Sequence, residues 1–142
     1  MWVAAAVVVA AMVVAVFPVS APRPDAKLQP TATEADSQFL ALLAEEVPQV
    51  RFSLATLRAY ESYRGLEIWT GANEFGSPCL IAVDRANGTV SEMRCAPPPA
   101  ELIMDVSSIG DDFEGLPGQG IVRFIHRGDS IDAYLHLLSE AG

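Results

Sequence analysis

Residues 79–95, CLIAVDRANGTVSEMRC, predict a β-hairpin, and the rest of the domain is predicted outward from it. The dipeptide Asn87-Gly88 between two β-type runs is a strong hairpin signal. A two-residue turn there would place apolar and charged side chains on the same face. A three-residue loop with Gly88 as a bulge pairs Arg85 with Thr89 and gives the cleaner separation of apolar and charged side chains. The bulged register predicts one face made of Cys79, Ile81, Val83, Met93 and Cys95, and another made of Leu80, Ala82, Asp84, Val90, Glu92 and Arg94.

The same register places the two cysteines of the chain, Cys79 and Cys95, directly opposite each other. Cross-strand partners have Cα atoms roughly 4.5–5.5 Å apart, a separation that a disulfide spans. The alternative is a pair of buried free thiols, because cysteine packs well as a small apolar residue. We predict a disulfide, and since disulfides persist in oxidising compartments, it favours a location outside the cytoplasm.

Residues 1–22 contain no charged side chain and are rich in valine and alanine. About 20 residues of helix span roughly 30 Å, which is enough to cross a bilayer. We therefore predict that residues 1–22 are a transmembrane anchor. Two alternatives are weaker. A cleaved signal peptide ending at Ala21 places Pro22 directly after the cut, and a buried core helix is not expected to be apolar all round at the terminus.

Two opposing signals bear on the orientation of this anchor. Arg23 and Lys27 follow the apolar run and no basic residue precedes it, so the positive-inside rule alone places the domain in the cytoplasm. The predicted disulfide favours the opposite side. We expect a single-pass protein of the cell membrane whose C-terminal domain is extracytoplasmic.

After the anchor, the sequence predicts a Pro-rich linker over residues 23–32 and a small α+β domain over residues 33–142. Thr33 and Asp36 lie in a stretch that resembles a capping box, and the helix that it opens ends at Pro48. The apolar stripe that makes this helix amphipathic consists of Phe39, Leu40, Leu42, Leu43 and Val47.

The remainder of the domain is predicted to be an antiparallel meander of hairpins. A turn at residues 64–65 joins two strands, and a type II′ turn at residues 128–129 pairs His126 with Ile131. The fold class is therefore α+β, with an N-terminal transmembrane helix, one amphipathic helix and a small antiparallel β-meander domain. The predicted segments are one helical turn over 53–57, strands over 58–63, 66–70, 101–106, 121–126 and 131–136, and loops over 71–78 and 111–120.

Composition limits the chemistry. The chain has 18 acidic and 9 basic side chains, a formal net charge of −9, so we expect no nucleic-acid partner, because phosphate contacts need clustered lysine and arginine. His126 and an acidic group are the candidates for catalysis or cation binding, but no catalytic motif or calcium-loop spacing is present. We predict no catalytic residue, no cofactor-binding or metal site and no cofactor. The acidic group consists of Glu101, Asp105, Asp111, Asp112 and Glu114.

Several short motifs lie within residues 53–95. They are Ser53-Leu54 with Leu57, Gly65 with Trp69, Gly76-x-x-Cys79-Leu80-Ile81, and Cys95. Together with the apolar anchor and the Pro-rich spacer, they resemble small membrane-anchored extracytoplasmic proteins of high-GC Gram-positive bacteria. The resemblance implies a tethered domain and carries over no catalytic residue. The absence of a basic flank before the anchor departs from the pattern and bears on topology.

These observations lead us to expect a non-catalytic interaction domain that is held at the membrane and binds an envelope protein or a cell-surface polymer. Two registers of the strand fit equally well and place Trp69 either in the core or on the surface; an exposed patch that includes Trp69 or Tyr134 would favour the interaction domain. One alternative is a cell-surface enzyme that uses His126 and acids from residues 101–114. Another is a secreted protein with a cleaved signal peptide.

The predicted topology is testable with reporters fused to the C-terminus. We expect activity from a reporter that works only outside the cytoplasm and none from its cytoplasmic counterpart, because residues 1–22 hold the domain on the outer side. A signal from the cytoplasmic reporter alone would reverse the orientation. N-terminal sequencing is the control, since a soluble product that begins at Pro22 would identify a signal peptide instead.

Overall fold

A computed structural model describes residues 22–107 and 119–138. Within them, eight strands and one helix form two four-stranded antiparallel sheets, with strand orders β1-β8-β7-β6 and β2-β3-β4-β5. The predicted small antiparallel β-meander domain with one helix is confirmed at this level. The elements are β1 (Ala26–Leu28), α1 (Ser37–Glu46), β2 (Phe52–Ala59), β3 (Glu67–Asn73), β4 (Pro78–Asp84), β5 (Thr89–Cys95), β6 (Ile103–Ser107), β7 (Gly120–Arg127) and β8 (Ser130–Leu137).

The predicted transmembrane helix lies outside the described residues, as does most of the predicted loop over 111–120. Among residues 22–107 and 119–138, no helix is long and apolar enough to cross a membrane.

The domain has three layers, and the β2-β3-β4-β5 sheet, called here the central sheet, is the middle one. Helix α1 packs on one face of the central sheet, and the β1-β8-β7-β6 sheet, called the outer sheet, packs on the other. Strand β4 is therefore buried on both sides: Ile81 faces α1, and Leu80 faces the outer sheet. The hairpin face predicted to carry Leu80 with charged residues is thus partly core, because the second sheet covers it.

The predicted cysteine hairpin is confirmed in its main register. Cys79 pairs with Cys95, their Cα atoms are 4.0 Å apart, and the two residues form a disulfide. Near the turn the prediction is wrong: Asp84 rather than Arg85 pairs with Thr89, and the register shift lies further along the strands. The shift brings Val90 opposite Val83, so that Val90 packs in the cluster beneath α1 instead of on the predicted polar face.

The turn itself is stabilised by the side chain of Asp84. Its carboxylate accepts hydrogen bonds from the backbone N–H of Asn87 (3.1 Å) and from the Asn87 side-chain amide (2.6 Å). Gly88 has φ +63°, the left-handed conformation predicted for it. These bonds close a four-residue connection, which is why the loop is one residue longer than predicted.

Helix α1 begins later than the sequence predicted. Asp36 is the N-cap, with an extended backbone and a carboxylate Oδ1 that accepts from the Phe39 N–H at 3.0 Å. The predicted capping box at Thr33 is wrong, because Asp36 satisfies the helix N-terminus and simultaneously reaches Arg85. The helix buries Phe39, Leu42 and Leu43 on the central sheet.

Strand β2 replaces the helical turn predicted over residues 53–57. Its pairing with β3 is interrupted between Ser53 and Arg58, and the intervening residues bulge outward opposite Gly71. The Thr56 hydroxyl accepts from the Ala72 N–H at 2.8 Å and so replaces a backbone partner. The predicted loop over 71–78 is correspondingly shorter, since β3 continues to Asn73 and β4 begins at Pro78.

Several β-hairpin predictions hold. The turn at residues 64–65 lies between the bridged pair Tyr63 and Leu66, although the strand predicted over 58–63 ends at Ala59. Strand β6 overlaps the segment predicted over 101–106 but begins and ends later. In the last hairpin His126 pairs with Ile131. The register therefore follows the pattern of apolar alternation, as expected for a hairpin with one buried face.

Residues 23–32 are more ordered than a linker. Strand β1 pairs with β8 in the outer sheet, and the Asp25 carboxylate accepts from the Leu135 N–H at 2.6 Å. Thr31 N–H donates to the carbonyl of Ala59 at 2.9 Å, which ties the segment to the central sheet as well. The segment covers the edge of β8, an edge that would otherwise be open to unwanted pairing.

The left-handed conformation of Gly88 generates a stability prediction. A Cβ at Gly88 would have no neighbour within 4 Å, so a substitution there tests backbone strain alone. We expect Gly88→Val to lower the free energy of unfolding in urea by about 1–2 kcal/mol, the cost of a left-handed conformation for a residue with a Cβ. Gly88→Asn is the matched control, because asparagine tolerates this conformation and should lose less. Equal losses in the two variants would contradict the explanation.

Candidate functional site

A groove runs along the surface between α1 and β2, which lie antiparallel. Three adjoining depressions make up its length, counted here from the start of β2. The first and second share the lining residues Leu40 and Leu54, and the second and third share Thr33 and Ala59. From one depression to the next, the lining residues have higher numbers on β2 and lower numbers on α1. The three depressions are therefore consecutive parts of one groove. We call it the α1–β2 groove, with an apolar, a middle and an acidic section.

The apolar section has a volume of about 380 Å³ and no charged or polar side chain in its lining. Its walls come from the C-terminal half of α1, the following turn and the start of β2. Leu54, which lies between the paired residues Ser53 and Arg58 in the bulged part of β2, is 63% exposed here. A contiguous exposed apolar patch is typical of a binding groove. The lining consists mainly of Leu40, Leu43, Ala44, Val50, Phe52 and Leu54.

The middle section, of about 460 Å³, connects the two ends. Leu54 and Leu57 line it from β2, and Ala35 lines it from the segment before α1. Arg58 is the basic residue of this section, and its guanidinium lies 6.0 Å from the centre of the Tyr60 ring. The groove thus becomes more polar in the direction of the N-terminus of α1.

The acidic section is the largest, about 810 Å³, and is open to solvent. Four carboxylates line it against a single base, Arg85. Arg85 is held by two of them: its guanidinium donates to Glu67 at 2.8 and 3.0 Å and to Asp36 at 3.0 and 3.1 Å. The carboxylates are those of Glu34, Asp36, Glu61 and Glu67.

The Arg85 cluster joins three elements into a rigid wall. Glu67 on β3 also accepts the indole N–H of Trp69 at 2.7 Å. The Trp69 ring stacks on Phe39 of α1 with centroids 4.2 Å apart, and Arg85 lies 5.8 Å above the Phe39 ring. Such aromatic pairs add about 0.5–1.5 kcal/mol beyond their buried area. Arg85 therefore fixes the position of α1 on the central sheet.

Hydrogen bonding shifts the titration of these groups. The guanidinium of Arg85 and, after it, the N–H of Phe39 lower the pKa of Asp36, and the hydrogen bonds to Glu67 raise the pKa of Arg85. Asp36 and Arg85 thus both favour their charged forms. At neutral pH the acidic section carries more negative than positive charge.

The structure settles the position of Trp69, which the sequence left open, and Trp69 and Tyr134 do not form a binding patch. Trp69 is fully buried beneath α1, where it contributes to the core rather than to the surface. Tyr134 lies half-buried on the solvent side of the outer sheet, and both sheets lie between it and α1. Neither residue lines the α1–β2 groove.

Of the described residues proposed for an enzyme, His126 and Asp105 lie on opposite faces of the outer sheet. His126 projects between the two sheets, where its ring meets the edge of Tyr60 at 6.3 Å, and burial lowers its pKa. Asp105 lies on the opposite face of the outer sheet, paired with Arg123 at 2.8 and 2.9 Å, and this pairing lowers the pKa of Asp105. Glu101 pairs with Arg127 at 3.5 Å.

Asp111, Asp112 and Glu114 lie outside the described residues. Within the ranges 22–107 and 119–138, no three His, Cys, Asp or Glu side chains are grouped so as to hold a metal ion.

The groove residues themselves were missed by sequence reasoning. Leu54 was placed in a helical turn and Leu40 in the buried stripe, so neither was expected at a binding surface. The sequence did contain one signal. Phe52, Leu54 and Leu57 are more apolar residues than the buried face of a short strand holds, so an exposed apolar residue was to be expected among them. No family model matches the chain, and no curated protein or solved structure is detectably similar to it.

The ion pair between Asp36 and Arg85 predicts a pH-dependent contribution to stability. The pKa of Asp36 is lowered from 3.8 in the folded state, so its ionisation stabilises the fold above that pH, and the contribution is lost as the pH falls through the lowered pKa. Asp36→Asn keeps an N-cap acceptor but not the charge. We expect this variant to be less stable than the wild type at pH 7 and the difference to close in acid.

Urea unfolding at a series of pH values measures this difference. Glu45→Gln is the matched control, because Glu45 is an exposed acid on the same helix and lies outside the Arg85 cluster. A gap between wild type and Asp36→Asn that persists unchanged in acid would show that the charge of Asp36 is not its source.

Proposed function

We propose that this chain is a single-pass membrane protein whose residues 23–142 form a non-catalytic, extracytoplasmic domain that binds an envelope protein. The observation that carries the proposal is the α1–β2 groove, in which Leu54 is 63% exposed beside further apolar side chains. Apolar grooves of this kind are the usual binding sites for peptide segments of partner proteins.

The membrane attachment is supported by the sequence. Residues 1–22 are uncharged and about long enough for one crossing, and the described domain begins directly after them. The disulfide between Cys79 and Cys95 supports the extracytoplasmic side, since such bonds are rare in reducing compartments.

A binding role agrees with the rigidity of the walls of the groove. The Arg85 cluster and the stacked Phe39 and Trp69 rings hold α1 in place, so the groove is formed before a partner arrives. A preformed site lowers the ordering cost of association. Of the two partner types expected from the sequence, a protein fits the aliphatic lining better than a hydrophilic surface polymer does.

Site-specific photocrosslinking in the native membrane tests this proposal. A photoreactive residue at position 44, an exposed site in the lining of the apolar section, should yield a reproducible adduct with a partner protein. The same residue at position 134, on the far side of the outer sheet, is the control and should yield none.

A second substitution links the adduct to the groove. Leu54→Asp should reduce the adduct formed from position 44 by about tenfold or more, because an unpaired carboxylate in an apolar contact costs at least ~1.4 kcal/mol. Phe75→Asp, a change at an 83% exposed residue outside the groove, should leave it unchanged. An adduct from position 134 alone, or from neither position, would contradict the proposal.

A further inference from the structure

The α1–β2 groove has different chemistry at its two ends. Its apolar section carries no charge, whereas its acidic section lies at the opposite end of β2. Because of its bulge, β2 from Phe52 to Ala59 faces only residues 69–73 of β3, so its ends are about 13 Å apart at roughly 3.3 Å per residue. A ligand that fills the groove must therefore be elongated and must differ from one end to the other.

Two carboxylates of the acidic section are free to bind a cation from outside. Arg85 already satisfies Asp36 and Glu67, but Glu34 and Glu61 have no ion-pair partner among residues 22–107 and 119–138. Glu61 uses one carboxylate oxygen to accept the Gln29 N–H at 2.7 Å. Both side chains are exposed, so a lysine or arginine can approach them without displacing a core contact.

The strand that borders the groove favours an extended ligand. β2 is an edge strand of the central sheet, and edge strands add extended segments through their backbone. Residues 29–31 already pair with the chain at Ala59 and Tyr60, so a ligand pairs only with the part of β2 before Ala59. In an extended segment alternate side chains point the same way, at a spacing of about 6.6–7 Å. Two or three such side chains reach along the apolar and middle sections.

Other ligand classes fit less well. Anionic lipid head groups and nucleic acids are repelled by the acidic section. A hydrophilic polymer gains little from the aliphatic lining of the apolar section. The groove is complementary to a protein segment that places apolar side chains in the apolar section and a basic side chain in the acidic section.

We infer that the α1–β2 groove binds an extended segment of a partner protein, about five residues long, that has aliphatic side chains at one end and a lysine or arginine at the other. Leu54 and its neighbours receive the aliphatic end, and Glu34 and Glu61 receive the cation. This inference rests on the proposed function, because it assumes that the groove is the binding surface.

A peptide selection tests the inference with the full chain in detergent micelles. A phage library of random peptides, each about ten residues long, is selected on the wild type and counter-selected on Leu54→Asp. We expect enriched peptides with two or more aliphatic residues at alternate positions and a lysine or arginine about four positions from the first of them, the distance set by the length of β2.

The affinity of the most enriched synthetic peptide is then measured for two charge variants. Glu34→Gln combined with Glu61→Gln should weaken binding about three- to tenfold, the effect of losing two exposed charge pairs. The amide oxygen introduced at position 61 still accepts from the Gln29 N–H, so the shape of the groove is preserved. Glu45→Gln combined with Glu46→Gln removes two exposed acids of α1 that do not line the groove and should leave the affinity unchanged.

The outcomes separate the inference from the proposed function. Binding that depends on Leu54 but is equal in both charge variants would overturn the predicted polarity and leave groove binding intact. Enriched apolar residues at helical spacing would overturn the extended form. Failure to enrich any peptide on the wild type over Leu54→Asp would overturn both. Self-association that is lost in Leu54→Asp would identify a second copy of the chain as the occupant and overturn the inference.

Discussion

Burial of strand β4 on both faces is the constraint on which the rest of this domain depends. Ile81 and Val83 on one face and Leu80 and Ala82 on the other are fully buried. A strand that is apolar on both sides needs a packed layer on each, and each fully buried side chain of leucine or isoleucine size contributes about 1.5–3 kcal/mol. Helix α1 supplies one layer and the outer sheet supplies the other. The disulfide joins β4 to its neighbour β5 at one end of this arrangement.

The groove follows from the same arrangement through simple dimensions. Four strands about 4.8 Å apart make a sheet roughly 14 Å across, whereas a helix with its side chains is about 10 Å wide. One helix cannot cover the whole face. Helix α1 packs over β3, β4 and β5, where Phe39 reaches Trp69, and a strip along β2 is left open. The bulge in β2 then directs Leu54 into that strip.

Arg85 connects the turn of the hairpin to the function proposed for the groove. It bridges Asp36 at the N-terminus of α1 and Glu67 on β3, and so holds one wall of the groove in place. The same pairing engages those two carboxylates, so that Glu34 and Glu61 are the acids assigned to a partner in the proposed binding mode. A single arginine thereby contributes to the stability of the fold and to the charge distribution of the proposed binding surface.

By itself the sequence determined the features that depend on local patterns. Alternation and turn residues specified the cysteine pairing and the register of the last hairpin, because a one-residue slip moves every side chain to the wrong face. The tertiary structure alone decided which apolar residues are covered. Trp69 is buried and Leu54 exposed because of where α1 lies, a long-range contact that leaves no local signal. At the start of α1, aspartate is locally the better N-cap, so Asp36 rather than Thr33 follows from local preference, whereas its ion pair with Arg85, 49 residues away along the chain, is decided by the tertiary structure.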